Sequence, residues 1–181
     1  MQTYTDHSAG DPPFRVGHGY DLHRLEPLSP VGEGKPLVIG GVLVPQAGEA
    51  ARGPVAHSDG DALLHALTDA ILGAAGLPDI GQLFPNTDPA NEDGDSAVFL
   101  AEAVRLVRDA GWAMTNVDLT VLLERPKIGP HKAAIRERVG HLLGLPADRV
   151  NVKGKTGEGV GPVGEGRAIE AHAVVMLVRA G

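Results

Sequence analysis

The segment GHGYDLH, residues 17–23, ends with an aspartate and a histidine two positions apart. In an extended backbone such side chains point to the same face, so Asp21 and His23 can approach one metal ion. A third ligand must come from elsewhere in the chain. The segment from 56 to 65 places His57 and His65 around the start of a helix. The residues alone leave open which of these two histidines completes the site.

Two histidines and one carboxylate suit Zn²⁺ that is held tetrahedrally with an open fourth position, and they also suit other divalent metals. The alternative is a strand end at which Asp21 and His23 are simply solvated. Asp69 lies four residues after His65, one helical step away, so its carboxylate could orient the His65 ring; the alternative is an ordinary polar helix face.

Two other segments could contact phosphate groups. Lys155, Thr156 and Glu158 stand at the entrance of a glycine-rich stretch, residues 157–166, and Lys127 lies between two prolines. Residues 159–164 read G-x-G-x-x-G, but a strand rather than a helix is predicted next, so a dinucleotide site is not expected. The loop 79–95 carries carboxylates, amides and a hydroxyl that could read a sugar or a phosphate. The alternatives are a flexible connection, solvated lysines and ordinary turn chemistry.

Composition limits the protein class. The chain has 181 residues, 43% of them hydrophobic, with no cysteine and a net charge of −7. These values predict one α+β domain over residues 13–181 and disfavour disulfides, thiolate metal sites and nucleic-acid partners. Residues 1–12 are expected to be a disordered tail rather than a signal peptide, and no apolar run reaches membrane-spanning length. We therefore expect a cytoplasmic protein without a membrane partner.

Periodicity and punctuation predict the elements that position these residues. Ser58 is expected to cap the first helix with Asp61 three residues later, and Ser96 to cap the second. Gly40 and Gly41 are expected to form a two-residue hairpin turn. Strands are predicted over 14–20, 37–39, 42–44, 116–124, 150–155 and 171–178. Helices are predicted from the Ser58 cap to about 76, from 96 to about 110 and from 131 to about 143.

Taken together, the segments resemble the 2-C-methyl-D-erythritol 2,4-cyclodiphosphate synthase family over roughly residues 14–178. The matching motifs, in order, are GHGYDLH (17–23), AHSDGD (56–61), HALTDA (65–70), DIG (79–81), FPNTDP (84–89), PK (126–127) and NVK (151–153). The resemblance implies a phosphorus–oxygen lyase of the non-mevalonate isoprenoid pathway. It also implies a homotrimer in which mixed sheets packed against helices line the centre and active sites lie between subunits.

The resemblance also assigns residues. Zn²⁺, or another divalent cation, would be held by Asp21, His23 and His65, and Mg²⁺ or Mn²⁺ by Glu158. His57, Thr156 and Glu158 would be catalytic. The expected substrate contacts of a cytidine diphosphate compound are Asp21, His23, His57, Ser58, Asp79, Ile80, Gly81, Phe84, Asn86, Thr87, Asp88, Lys127, Lys155, Thr156, Gly157 and Glu158, those from Lys127 onward reaching the site of the neighbouring subunit.

Five positions depart from the family pattern. Asn86 stands where aspartate is usual, Lys155 and Gly157 replace threonines, and Pro162 and Glu165 replace a phenylalanine and an arginine found in some members. The last two line a central trimer cavity in those members, and its isoprenoid ligand is not carried over to this chain. Two rival functions stay open: a metal-dependent phosphohydrolase, and a non-catalytic metal- or phosphate-binding module.

Overall fold

A computed structural model describes residues 12–46, 48, 51–85 and 87–181. The strands are β1 (Phe14–Pro27), β2 (Val38–Ile39), β3 (Val42–Leu43), β4 (Arg52–Pro54), β5 (Trp112–Leu122), β6 (Val150–Lys155) and β7 (Ala168–Arg179). The α-helices are α1 (Ala62–Ala75), α2 (Ile80–Leu83), α3 (Ser96–Asp109), α4 (Lys132–Leu143) and α5 (Gly161–Gly164). Short 3-10 helices cover Pro89–Asn91, Gly129–His131 and Ala147–Arg149. The tail predicted at 1–12 lies outside the described residues, apart from residue 12.

Five strands form one mixed sheet in the order β4-β1-β7-β5-β6, and the parallel pair is β5 with β6. β2 and β3 form the expected hairpin, with positive φ at both Gly40 and Gly41. The predicted α+β class, with a mixed sheet packed against helices, is therefore confirmed. β1 and β7 are longer than predicted because they pair from Phe14 to Arg24, through a stretch whose exposed side chains weaken the alternating pattern.

Helix α1 lies directly on β1, and two glycines allow this approach. A Cβ atom added at Gly17 would lie 1.9 Å from the carbonyl oxygen of Ala70, and one at Gly19 would lie 1.8 Å from that of Ala66. Real side chains cannot occupy those positions, so the helix backbone would have to move away from the strand. The glycines of the GHGYDLH segment therefore set how close the helix comes to Asp21 and His23.

Asp61 is the N-cap of α1 and fixes where this helix begins. Its carboxylate accepts hydrogen bonds from the backbone N–H groups of Leu63 and Leu64, at 3.1 and 3.0 Å. The hairpin turn donates two more, from Gly40 at 2.9 Å and Gly41 at 2.6 Å. Complete burial raises the pKa of the Asp61 carboxyl, while the backbone donors act in the opposite direction. One side chain thus joins the hairpin to the helix start.

Two capping predictions are wrong. Ser58 does not cap α1, because Asp61 does so three residues later. Ser96 is the first residue of α3 rather than its cap, and the cap is Asp95, whose side chain accepts from Ala97 N at 2.8 Å. In each case a nearby aspartate supplies a stronger, charged acceptor for the free N–H groups of the helix: Asp61 follows Ser58 by three residues, and Asp95 directly precedes Ser96. Both serine hydroxyls are thereby released for other partners.

The sheet face opposite α1 is open to solvent in the single chain and is strongly apolar. Alternate residues of β1 and one residue of β7 expose large side chains there: Phe14 is 51% exposed and Val16 62%, and Tyr20, Leu22 and Val174 are exposed as well. A contiguous apolar sheet face of this kind is typical of a protein–protein contact surface.

In the described parts of the chain, the helices are too short or too polar to cross a membrane.

Candidate metal centre and phosphate site

The end of β1 and the first turn of α1 bring three potential metal ligands together. Asp21 Oδ2 lies 3.2 Å from His23 Nε2 and 3.1 Å from His65 Nδ1. The two ring nitrogens are 3.3 Å apart. Within the part of the chain that the structure describes, Asp21, His23 and His65 form the one group of this kind able to hold a metal ion. His57 is not part of it.

The spacing of these three atoms fits a tetrahedral ion. Neighbouring donors of a tetrahedral Zn²⁺ held at about 2.0–2.1 Å lie about 3.3 Å apart. The observed triangle, with edges of 3.1, 3.2 and 3.3 Å, would leave the fourth position open on the cavity side. Two imidazoles and one carboxylate also suit other divalent metals, so the donor set fits a divalent ion without fixing its identity.

Electrostatics around the triangle favour a bound cation. Burial acts to raise the pKa of the Asp21 carboxyl, but hydrogen bonding to His65 and the charges of both histidines outweigh it and lower that pKa. Burial lowers the pKa of His23, which keeps this imidazole neutral and able to donate a lone pair. Burial also acts to lower the pKa of His65, yet the carboxylates of Asp21, Asp61 and Asp59 raise it. The same negative field would attract a divalent ion.

The second nitrogen of His65 is held by a serine. Nε2 lies 2.8 Å from Ser96 Oγ, and that hydroxyl donates its own proton to Asp59 Oδ1. Because the hydroxyl proton is directed at Asp59, Ser96 Oγ acts as the acceptor and Nε2 as the donor. In the neutral ring, Nδ1 then carries the lone pair and faces Asp21 and His23. This contact selects the tautomer that a metal at the triangle needs.

The prediction that Asp69 orients His65 is wrong. Asp69 Oδ1 instead accepts from the backbone N–H of Ile80 at 2.8 Å and so holds the start of α2 against the cavity. Burial raises the pKa of Asp69, aided by the charge of Asp79. The interpretation failed because i,i+4 spacing predicts proximity along the helix, whereas the His65 ring points back toward the helix start, where Ser96 meets it.

A cavity of about 400 Å³ opens in front of the three ligands. Its wall includes most of the predicted contacts for the sugar and the diphosphate, and Asp79, Thr87 and Asp88 do not line it. Asp79 caps α2 by accepting from Gln82 N at 2.9 Å, and Asn86 lies outside the described residues. The lining residues are Asp21, His23, Val55, Ala56, His57, Ser58, His65, Asp69, Ile80, Gly81, Phe84, Asn91 and Phe99.

His57 lines this cavity with an unused polar atom. Its Nε2 is buried and has no hydrogen-bond partner among the described residues. Lys35 holds the backbone beside it, donating to the carbonyl oxygens of His57 at 3.2 Å and Ser58 at 2.5 Å. A buried nitrogen without a partner is costly unless a ligand satisfies it. The loop is thus fixed through its backbone while the His57 ring remains available to a phosphate.

A second cleft, of about 270 Å³, contains the other group of predicted residues. It is lined by Lys127, Ile128, Gly129, Lys132, Gly154, Lys155, Thr156 and Glu158. Thr156 Oγ1 donates to Glu158 Oε1 at 2.6 Å, which orients the carboxylate. Gly157 differs from the expectation, because its N–H donates to Glu124 Oε2 at 3.1 Å and it does not line the cleft.

The charge balance of the second cleft favours an anion. Three lysines, at positions 127, 132 and 155, face one carboxylate, Glu158. Lys127 is also near Glu124, at 3.7 Å, a contact longer than a hydrogen bond. The first cavity has the opposite character, with Asp21 and Asp69 beside the histidines. A ligand carrying several phosphates, together with a bound cation, would match the two regions in combination.

Within one chain, the two regions lie on different strands of the sheet. Asp21 pairs with Ala171, Ala171 with Val121, and Val121 with Gly154, so all four occupy one row across the sheet. At about 4.8 Å between strands, three steps place the backbones of Asp21 and Gly154 roughly 14 Å apart. The two regions therefore stand on strands that are not neighbours in the sheet.

Sequence reasoning missed four residues that shape these regions. Asp59 and Ser96 hold His65, Lys35 holds the loop at His57, and Lys132 lines the second cleft. Asp59 lies inside the AHSDGD segment, residues 56–61, and this position next to the candidate ligands could have indicated its role. Ser96 resembled an ordinary helix cap, and no local pattern separates Lys35 or Lys132 from a solvated surface lysine.

Comparisons with known proteins agree with this geometry. Residues 14–178 match the sequence model of the YgbB family. The chain is 55% identical over 166 residues to "2-C-methyl-D-erythritol 2,4-cyclodiphosphate synthase, chloroplastic" of Catharanthus roseus. The matched region covers 92% of this chain and 66% of that protein. It is 51% identical over 169 residues to the protein of Bordetella pertussis named "2-C-methyl-D-erythritol 2,4-cyclodiphosphate synthase", which covers 93% and 98%.

A solved structure is similar as well. "Structure of 2C-Methyl-D-erythritol-2,4-cyclodiphosphate Synthase (bound form CDP)" is 46% identical, has a TM-score of 0.78, and covers 90% of this chain and 99% of that chain. The chain thus spans about two thirds of the plant relative and nearly all of the bacterial one.

Proposed function

The chain belongs to the YgbB family, and we propose that it is an enzyme, a phosphorus–oxygen lyase of the non-mevalonate isoprenoid pathway. It converts 4-diphosphocytidyl-2-C-methyl-D-erythritol 2-phosphate to 2-C-methyl-D-erythritol 2,4-cyclodiphosphate and releases CMP. The observation that carries this proposal is the tetrahedrally spaced triangle of Asp21, His23 and His65 at the wall of a cavity. The identity of the proposed substrate comes from the similarity to proteins named as this synthase.

The reaction is an intramolecular phosphoryl transfer. An oxygen of the 2-phosphate attacks the β-phosphorus of the cytidine diphosphate group and forms a new P–O bond. The bond from the β-phosphorus to the oxygen that bridges it to the α-phosphorus breaks, and CMP leaves with that oxygen. The nucleophile is already an anion near neutral pH, so no strong base is needed. The protein must position the ends and neutralise charge.

In the first cavity, Asp21, His23 and His65 would hold a divalent cation, Zn²⁺ being the expected one. When bound, that ion supplies Lewis-acid polarisation of a phosphate oxygen. The Nε2 of His57, buried and without a partner among the residues that the structure describes, and the hydroxyl of Ser58 would donate to the diphosphate. The start of α2, at Ile80 and Gly81, would hold the methylerythritol phosphate end, with Phe84 beside it.

In the second cleft, the lysines at 127, 132 and 155 would neutralise the phosphates of the nucleotide part. Thr156 holds the Glu158 carboxylate in one orientation through its 2.6 Å hydrogen bond. Glu158 would ligate Mg²⁺ or Mn²⁺ between the phosphates, because both are oxygen-preferring ions. Glu124 supports the loop by accepting from Gly157 N, so the backbone beside Glu158 does not need the ligand for its position.

We further propose a homotrimer whose active sites lie between subunits. The distance of roughly 14 Å across the sheet supports this, because the first cavity of one chain needs the second cleft of another. The open apolar sheet face, with Phe14, Val16, Tyr20 and Leu22 exposed, supports a role for that face at the centre of the assembly.

Product analysis in ¹⁸O-labelled water tests the reaction. A cyclase releases CMP in equal amount with a cyclic diphosphate, and neither product takes up label. A metal-dependent phosphohydrolase would put ¹⁸O into a phosphate group, and a non-catalytic binding module would release no CMP. Either result would refute the proposed cyclisation. Wild-type protein depleted of metal is the matched control, and its activity should return when Zn²⁺ and Mg²⁺ are added together.

Subunit mixing tests the shared site. The variants His65→Ala and Glu158→Ala each damage a different half of the site, so each homotrimer should be inactive. After dissociation and reassociation, mixed trimers contain some interfaces with two intact halves, and activity should return in part. A mixture of two His65→Ala preparations, treated in the same way, is the control. Confirmed mixed trimers without activity would contradict a site built from two subunits.

A further inference from the structure

A second pair of histidines lies on the open sheet face, away from both clefts. His18 of β1 and His172 of β7 bring His18 Nε2 to 3.3 Å from His172 Nδ1. Two nitrogens of a tetrahedral ion held at about 2.0–2.1 Å are also about 3.3 Å apart. The pair repeats the 3.3 Å separation of His23 and His65 at the first metal centre. We propose that His18 and His172 form a second site for a divalent transition-metal ion.

Both imidazoles stand on paired strands, which makes their separation a property of the fold. β1 and β7 are registered from Phe14 opposite Val178 to Arg24 opposite Ala168. Tyr20, directly opposite His172, packs its ring against the imidazole with centroids 4.9 Å apart. Ligands on regular strands with packed neighbours are held more precisely than ligands on loops. The pair is therefore arranged before any ion arrives.

The donor types decide which ions fit. Imidazole nitrogen suits Zn²⁺, Cu²⁺ and Ni²⁺, whereas Mg²⁺ and Ca²⁺ prefer oxygen ligands. Glu170 precedes His172 by two residues and so lies on the same face of β7. Burial raises the pKa of the neighbouring Tyr20, and the negative charge of Glu170 raises it further. The Glu170 carboxylate adds negative potential to the sheet face that carries the pair. Two histidines leave two positions of a tetrahedron for water.

The simpler alternative is a hydrogen bond between two neutral rings. An N···N distance of 3.3 Å is at the long end of the hydrogen-bond range. A ring-to-ring hydrogen bond would bind no metal, so metal content separates the two interpretations. The inference depends on contacts within one chain and does not rest on the proposed cyclase activity, which is measured separately through CMP release.

The test measures Zn²⁺ bound after equilibrium dialysis by tag-free protein that carries His65→Ala, which damages the first site. We expect adding His18→Ala or His172→Ala to remove one ion per chain. His141→Ala, at an exposed histidine of α4, is the matched control and should keep the ion. Mg²⁺ should show no such difference. Equal zinc content with and without His172→Ala would overturn the site.

A second measurement covers the case in which His65→Ala impairs folding. In the chain with His65 intact, Cu²⁺ bound at the pair should add a second electron paramagnetic resonance signal with coupling to two nitrogens, beside the signal of the first site, which also contains two imidazoles. His18→Ala and His172→Ala should each remove that signal and leave the one from the first site. A spectrum unchanged by both substitutions would refute the proposal.

Discussion

Replacing Ser96 by alanine isolates the role of the hydroxyl that holds His65. Ser96 Oγ lies 2.8 Å from His65 Nε2 and donates to Asp59, so its removal frees the ring to adopt the other tautomer. The metal ligands themselves stay in place. We expect Ser96→Ala to weaken Zn²⁺ binding about 10–100-fold, the usual effect of losing such a partner. At 25 °C this corresponds to about 1.4–2.8 kcal/mol of binding free energy.

The structure indicates that the fold should survive this change. Asp59 keeps two backbone donors when the hydroxyl is gone, Asp61 N at 3.1 Å and Ser96 N at 3.1 Å. The cap of α3 is Asp95, so the start of that helix does not depend on the serine hydroxyl. The metal-free protein should lose about 1 kcal/mol of unfolding free energy, the typical contribution of one hydrogen bond. Metal affinity and stability should thus change by different amounts.

The assay is competition for Zn²⁺ with a chromophoric chelator, combined with urea unfolding of the metal-free protein. Ser58→Ala is the matched control, since Ser58 Oγ lies 3.3 Å from the same Nε2 and makes the longer contact. It should change the zinc affinity by less than Ser96→Ala does. Unchanged affinity in Ser96→Ala, or a larger loss in Ser58→Ala, would refute the argument that Ser96 selects the tautomer.

Three further predictions concern other parts of the site. His65→Ala should lose the bound zinc and His57→Ala should retain it, because His57 is not part of the triangle of ligands; metal analysis showing the reverse would contradict the assignment. Glu158→Gln should keep the fold and the zinc but lower the rate of CMP release about 10²–10³-fold, the usual effect of removing one transition-state contact. A wild-type rate with unchanged Mg²⁺ dependence would exclude Glu158 as a ligand. Gly19→Ala should destabilise the protein by about 1–3 kcal/mol or more in urea unfolding, because its Cβ would lie 1.8 Å from Ala66 O. An unchanged midpoint would show that α1 can move away freely.

Local patterns predicted most elements but only some of their ends. The positive φ of Gly76 ends α1 where the Gly-Leu-Pro signal indicated, and β6 has the predicted bounds. β1 extends to Pro27, beyond its alternating segment, because β4 pairs with it from Leu25 onward. The loop 79–95 contains the short helix α2, which is held by a contact from Asp69 that no local pattern contains. Pairing and long-range capping therefore set the boundaries that periodicity could not.

The ligands of the metal centre divide in the same way. Asp21 and His23 followed from two-residue spacing in a strand, since that rule depends only on the local backbone. The choice of His65 over His57 came from the family resemblance, because a helix start cannot be fixed to three residues from composition. Asp59 and Ser96 are hydrogen-bonded to each other although 37 residues separate them in the sequence, which is beyond the reach of any local motif.

Asp61 explains why the choice between the two histidines depends on a distant hairpin. Had Ser58 capped the helix, His65 would stand near the end of the second turn. Its position would then be three residues further from the helix start than it is with Asp61 as the cap, a rotation of about 300° around the helix axis. With the cap at Asp61, His65 is the fourth helical residue, and its side chain points back toward the end of β1. Gly40 and Gly41 stabilise that cap by donating to the same carboxylate. The hairpin, which contains no ligand, therefore helps to determine which histidine faces Asp21.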